Sequence, residues 1–249
     1  MEIVSRLDLI DAALDSVESS FDGMHGPADV LDSAAALLSA ARDASWSIRR
    51  DRLRTADAVH ELADPAQYDT IIITNLCVPT ASGVPLELLP KEINGVRIVG
   101  IDVPGFGVPT HAEAKDVLAG AMLEYARKEA EQGPVQAPRG GRSARPTVTL
   151  LGEMFPADPV GINLMLDPLG LAVGPVVPTR EWRELYAALD CQVVAAIHPF
   201  YKSCIRQFEL AGRKVVGSAP VGYDGTEAWL ESIGTACNVE RAKIDAAKN

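Results

Sequence analysis

The sequence predicts an α/β protein: two Rossmann-like parallel-sheet units that follow a helical N-terminal segment. The first unit is indicated by two continuous apolar runs, residues 68–76 and 96–103. Continuous runs are typical of parallel strands that are covered on both faces. The second unit is indicated by strands that alternate with helices across short loops, which produces right-handed crossovers and a parallel sheet.

The N-terminal segment, residues 1–60, is predicted to be helical and is of unclear origin. Apolar residues recur at helical spacing in residues 1–21, residues 28–45 are rich in Ala and Leu, and residues 48–62 are charged. Such spacing favours amphipathic helices.

The first α/β unit is predicted to span residues 61–138. After its two strands, residues 111–132 read as a helix. Thr110 is the expected N-cap, and Glu113, three residues on, completes a capping box. The apolar face of this helix is predicted to consist of Val117, Leu118, Ala121, Met122 and Tyr125.

The second domain is predicted to span residues 147–249, after a linker at residues 139–146. The linker lies in a stretch rich in Pro, Gly and Arg without apolar periodicity, which is typical of domain boundaries. The predicted strands are residues 147–151, 171–177, 192–197 and 214–218. Four helices are predicted in this domain. The first ends at residue 166, and the second spans residues 180–189 after the cap Thr179. The third spans residues 198–211, and the last begins at residue 225.

Composition excludes several classes of function. Of the 249 residues 47% are hydrophobic, as in globular proteins, and the net charge of −11 argues against a nucleic-acid partner. Neither a signal peptide nor a run of about 20 apolar residues is visible. Four widely spaced cysteines without a metal-binding pair then indicate a reduced, cytoplasmic protein without a transmembrane segment.

Several long blocks carry a resemblance to one family. They are NLCVPTASGVPLELLPKEINGVRIVGIDVPGFGVPTHAEAKDVLAGAML, TLLGEMFPADPVG, GPVVPTREWRELYAALD, AAIHPFY and GSAPVGYDGT. From about Asp57 to Val239 the chain resembles the Y-subunit family of chlorophyllide a reductase. That family belongs to the nitrogenase-like, dark-operative tetrapyrrole reductases. The resemblance implies sheet units of the nitrogenase component 1 type and reduction of a chlorin-ring double bond in bacteriochlorophyll synthesis.

The same resemblance implies a cofactor and partners. Members of the family share a [4Fe–4S] cluster with a Z-type subunit in a heterotetramer. An X-type iron protein uses ATP and delivers electrons to the cluster, so this chain itself would not bind ATP. Chlorophyllide a would be the substrate.

Cys77 is the expected metal ligand. It follows the first predicted strand, at the sheet edge where ligands collect. Taken alone, the spacing favours a buried, inert thiol; the resemblance implies an iron–sulfur ligand. One cysteine cannot hold the cluster, and the family's two upstream cluster cysteines have no counterpart in residues 1–56. The other cysteines, Cys191, Cys204 and Cys237, are predicted to be structural.

Gly105, Phe106 and Gly107 follow the second strand and are candidate cofactor-binding residues. The loop superficially resembles a dinucleotide loop, but the third glycine is absent. The resemblance implies a loop beside the cluster and the subunit interface, where glycine permits close backbone approach. The alternative is a tight turn.

Residues 152–161 and His198 are weaker candidates. Glu153 or Asp158 could donate a proton to the reduced ring, and Met154 and Phe155 could line an apolar slot for it. The alternative is an ordinary helix start with acidic residues. His198 could bind the pigment's magnesium or shuttle protons, or simply cap the following helix.

The chain is therefore expected to be a partial subunit of a chlorophyllide reductase, inactive alone. A truncated gene, a frameshift or a wrong start would each explain the unmatched N-terminal segment. The alternatives are a protochlorophyllide reductase-type subunit, a non-catalytic tetrapyrrole-binding module and an inactive fragment.

Overall fold

The structure, a computed structural model, describes residues 57–81, 83–84, 86, 89–108, 110–136, 144–152, 159–197, 200–217 and 219–248, with the isolated residues 15 and 39. The helices predicted in residues 1–56 and the linker residues 139–143 lie outside these, whereas residues 57–62 are helical as predicted. The chain divides into two compact units between Pro104 and Gly105.

The first unit contains a small mixed sheet. Its elements are β1 (Thr70–Asn75), the five-residue helix α1 (Cys77–Ala81), β2 (Glu92–Ile93) and β3 (Val96–Asp102). The strand order is β1-β3-β2; β1 is parallel to β3, as predicted, and β2 is antiparallel to it. The prediction of a wholly parallel sheet is thus wrong for this unit, because the missed Asn94-Gly95 pair closes a hairpin, both residues having positive φ (52° and 82°).

The core of the first unit lies under this hairpin. The cluster comprises Val59, Ala63, Leu86, Leu89, Ile93, Val96 and Ile98. A Cβ on Gly100 would lie 2.7 Å from the Cβ of Leu86, so only glycine lets that segment lie against β3.

The second unit contains the predicted parallel sheet. Its strands are β4 (Thr147–Leu151), β5 (Ala172–Val177), β6 (Val193–Ala196) and β7 (Lys214–Val216), in the order β5-β4-β6-β7. All three pairings are parallel, which confirms the α/β class. The central strands β4 and β6 are buried along nearly their whole length, as expected for parallel strands that are covered on both faces.

In the described part of this unit the sheet is accompanied by the α-helices α2 (His111–Gln132), α3 (Pro159–Leu166), α4 (Trp182–Leu189), α5 (Lys202–Leu210), α6 (Gly222–Ala236) and α7 (Arg241–Ala247). The predicted cap Thr179 is wrong: Glu181 is the N-cap of α4, because the Glu184 side chain reaches back to the backbone N–H of Glu181 at 3.1 Å. The last helix starts at Gly222 rather than 225, and α7 is separate from it.

Helix α2 packs on α4 and α5 and so belongs to the second unit, whereas the sequence groups it with the first. Its predicted apolar face is also wrong. The buried residues are Asp116, Ala119, Gly120, Leu123 and Ala126, while the predicted residues are half-buried. Small side chains form the contact face because α2 and α5 approach closely: a Cβ on Gly120 would lie 2.7 Å from that of Ser203.

Candidate functional site

Cys77 is the first residue of α1, two residues beyond the end of β1. It begins a short helix instead of lying in the predicted loop. Its side chain is exposed, as are those of its neighbours Leu76 and Val78. The alternative of a buried, inert thiol is therefore excluded, and the sulfur lies at the sheet edge where chemistry is usually done.

Helix α1 is held to both long strands of the first sheet. The hydroxyl of Thr80 donates a hydrogen bond to Oδ1 of Asp102, at the end of β3, over 3.2 Å. The buried side chain of Asn75 donates from Nδ2 to the carbonyl of Val84 over 2.9 Å, which draws the segment after α1 back to β1. These polar contacts tie α1 and the segment after it to the ends of β1 and β3. Sequence reasoning missed all of them, since Thr, Asn and Asp at strand ends are common as turn formers.

The described residues fit one ligand of an iron–sulfur cluster and not a complete set. Among them, no group of three or more His, Cys, Asp or Glu side chains could hold a metal ion. Cys191 and Cys204 are buried, as predicted, and burial raises the pKa of both thiols. Burial also raises the pKa of half-buried Cys237 to about 11. A thiolate from Cys77 would thus be one of the four that such a cluster takes.

Gly105, Phe106 and Gly107 form an exposed turn, as the simpler interpretation of this loop predicts. The phenyl ring of Phe106 is 68% exposed. The turn leads into α2 through Thr110, whose Oγ1 accepts from the backbone N–H of Glu113 at 3.2 Å, so the predicted N-cap is confirmed. The carboxylate of Glu113 accepts from the Thr110 hydroxyl over 2.9 Å.

The remaining predicted site residues, Glu153, Met154, Phe155, Asp158 and His198, lie outside the described residues. Sequence reasoning missed three large side chains that are exposed after strand ends: Phe200 follows β6, and Val221 and Tyr223 follow β7. The available signal was a large apolar residue just past a strand end, where a polar loop is the ordinary choice.

A cavity of about 1150 Å³ opens at the opposite edge of the second sheet, lined among others by Thr147 and Gln192, which begin or precede strands. Three arginines line it with several acidic residues. Arg127 is paired with Glu131 and Arg145 with Asp167, each over 2.6 Å. Because these charges neutralise one another and the strands' amino ends face it, this cavity is a poor candidate for the site.

Among the helices in the described part of the chain, none combines the length and the apolar character that crossing a membrane requires.

The α/β fold, with an exposed cysteine at the carboxyl ends of the strands, agrees with the family to which the sequence is similar. The chain belongs to the nitrogenase component 1 type oxidoreductases, which it matches over residues 52–249. It is 74% identical to the "Chlorophyllide reductase 52.5 kDa chain" of Cereibacter sphaeroides over 193 residues, 78% of this chain and 38% of that one. The Rhodobacter capsulatus counterpart is 74% identical over 192 residues, 77% of this chain and 39% of that one.

More distant matches cover a shorter stretch of sequence or the fold alone. The "Light-independent protochlorophyllide reductase subunit N" of Chlorella vulgaris is 26% identical over 157 residues, 57% of this chain and 36% of that one. A solved structure described as "Nitrogenase Cp1 at pH 6.5" superposes with a TM-score of 0.59 at 12% identity, over 78% of this chain and 37% of that chain. The chain thus spans about two fifths of the length of the curated relatives it matches.

Proposed function

We propose that this chain is part of the Y-type subunit of a chlorophyllide a reductase. The observation that carries the proposal is 74% identity to two chlorophyllide reductase chains over more than three quarters of this chain. The protochlorophyllide reductase subunits match at 26% or so over a shorter stretch, which favours the chlorin over the protochlorophyllide substrate. The reaction is the reduction of one ring double bond.

The role proposed for Cys77 is to supply one thiolate to a [4Fe–4S] cluster that a partner subunit of the Z type completes. Soft thiolate sulfur stabilises iron, and such a cluster supplies single electrons when bound. Exposure of Cys77 supports a shared site, because a partner must reach the sulfur. The exposed Leu76 and Val78 on either side would contact that partner and keep water from the cluster.

Gly105, Phe106 and Gly107 are proposed to lie beside the cluster, at a turn where small residues allow close approach. Glu153 and Asp158 are proposed as proton donors, with His198 as a further candidate, and Met154 and Phe155 as an apolar lining for the ring. Electrons would come from an X-type iron protein that hydrolyses ATP. The assembly would act in the cytoplasm, and the chain alone would be inactive.

A chimera tests this function. Residues 57–249 replace the matching section of the Cereibacter sphaeroides 52.5 kDa chain, and the chimera is assembled anaerobically with the other two components of that organism's enzyme. The expected result is ATP-dependent loss of the chlorophyllide a absorption band, with no turnover of protochlorophyllide. A chimera that assembles but leaves chlorophyllide unchanged contradicts the proposal, and turnover of protochlorophyllide alone favours the alternative substrate.

A further inference from the structure

Strand β1 lies at an edge of the first sheet, with β3 as its one neighbouring strand in the described part of the chain. The carbonyls of Asp69 and Asn75 accept from backbone N–H groups in and just after β3, over 3.1 and 2.8 Å. Odd-numbered residues of β1 therefore direct their backbone groups toward β3, and the even-numbered Thr70, Ile72 and Thr74 direct theirs outward. Among the described residues, these outward N–H and C=O groups have no hydrogen-bond partner.

The side chains along this edge favour pairing with another strand. The sequence of β1, TIIITN, contains no charged residue, proline or glycine, and its register with β3 is continuous. Ile72, at its centre, is 38% exposed, and Thr74 is exposed as well. Proteins usually protect an edge strand by making it very short or by placing a charge, a proline or a bulge in it. With six residues and none of these features, β1 is open to a further strand.

We propose that β1 pairs antiparallel with β1 of a second copy of this chain, across a two-fold axis at Ile72. The inference goes beyond the proposed function and does not depend on it. In this register Ile72 faces Ile72 of the second copy, and Thr70 faces Thr74. Each is a hydrogen-bonded pair whose two residues exchange N–H···O bonds, so every outward donor and acceptor of both copies is satisfied. A one-residue slip would bring the exposed face of one copy beside the core face of the other.

A second copy suits this edge because β1 is complementary to itself. On one face Ile72 meets its own counterpart, and on the other Ile71 meets Ile73 of the second copy. Cross-strand pairs of β-branched side chains stabilise sheets. Asp69, the acidic residue next to the strand, falls beside the uncharged Asn75 of the second copy, so two like charges do not face each other although the chain carries a net charge of −11.

The test measures the mass of the purified full chain by sedimentation over a dilution series. The wild type is expected to be a dimer that dissociates on dilution. Ile72→Lys is expected to raise the dimer Kd about tenfold, because two like charges then lie directly opposite each other. Leu62→Lys is the matched control: Leu62 is more exposed, at 57%, and lies in the helix that precedes β1. This variant is expected to dissociate like the wild type.

Cysteine cross-linking tests the register separately, in a Cys77→Ser background that removes the exposed native thiol. Opposed residues of a hydrogen-bonded pair have Cα atoms about 5.5 Å apart, which is within the range of a disulfide. With oxidised glutathione as the oxidant, Ile72→Cys is expected to link two copies by itself. Thr70→Cys is expected to link to Thr74→Cys in a mixture of the two variants, and neither is expected to link alone.

The inference is overturned if the wild type is monomeric at its highest soluble concentration, or if Ile72→Lys dissociates like the Leu62→Lys control. Slow hydrogen exchange at Ile72 in a monomeric chain would show that another segment of the chain covers the edge, which overturns it too. If circular dichroism shows that Ile72→Lys does not fold, the cross-linking decides. Absence of a link through Ile72→Cys, or equal linking through Leu62→Cys, then refutes the pairing.

Discussion

The carboxylate of Asp116 caps a helix that begins far along the chain: its Oδ2 accepts from the backbone N–H of Ser203 over 2.7 Å, and its Oδ1 from that of Cys204 over 3.0 Å. Within α5, whose N-cap Tyr201 offers no side-chain cap, these two N–H groups would otherwise lack an acceptor. A buried acid on α2 thus replaces the local cap and fastens α2 to the first turn of α5.

Asp116→Ala is expected to lower the free energy of unfolding by about 2 kcal/mol, because two buried N–H groups lose their acceptor. Asp116→Asn is expected to cost less, since its single amide oxygen still accepts one bond. Urea denaturation followed by circular dichroism measures both, with Asp224→Ala at an exposed site as the control. Equal stability of Asp116→Ala and the control would refute the cap.

Gly120→Ala is expected to destabilise the second unit by about 1–3 kcal/mol, because the new methyl group would lie 2.7 Å from the Cβ of Ser203. Gly133→Ala, just after the same helix, meets no atom within 4 Å and has an extended φ of 170°, so it is the matched control. Thermal unfolding compares the two variants. Adding Ser203→Gly is expected to recover part of the loss; no recovery would show that the close approach is not its cause.

Raising the pH is expected to destabilise the protein through Cys204. Burial raises the pKa of this thiol above the ordinary value of 9.0, so above pH 9 the unfolded chain loses a proton that the native thiol keeps. Stability is therefore fully present below pH 9 and falls above it. Between pH 8 and 10 the wild type is expected to lose about 1.4 kcal/mol more than Cys204→Ala. Parallel pH profiles in urea titrations would contradict this.

Maleimide labelling is expected to modify Cys77 first in the native protein, because its side chain is exposed. Cys191 and Cys204 are expected to react only after unfolding, since both are buried and their pKa values are raised. Peptide mass spectrometry after timed labelling measures the order, and Cys77→Ser shows whether the fast phase is lost. A fast phase that persists in Cys77→Ser would contradict the order.

Much of the fold follows from the sequence, because a central strand such as β6 is apolar along its whole length and short loops between strands and helices favour a parallel order. The buried face of helix α2 does not follow from the sequence. Its contact side is made of small residues and one buried acid, and an apolarity pattern selects the larger side chains instead. The antiparallel strand β2 was not predicted, because two residues are too few to show the alternation of a strand. Asn94-Gly95 is nevertheless a recognisable hairpin turn.

The candidate site is less predictable than the fold. The placement of Cys77 at the sheet edge follows from its position after an apolar run, and its exposure agrees. The exposed aromatic side chains of Phe106 and Phe200 could not be predicted from the local sequence. Phe106 was a candidate only as part of a glycine loop, and Phe200 was not a candidate.

The iron content of the chimeric assembly, purified anaerobically, tests the central claim most directly. The account predicts about four iron atoms for each pair of catalytic subunits. It predicts loss of most of this iron with Cys77→Ala and its retention with Val78→Ala, a change at the neighbouring exposed residue. Full iron content and unchanged chlorophyllide reduction in the Cys77→Ala assembly would contradict the claim that this sulfur holds the cluster.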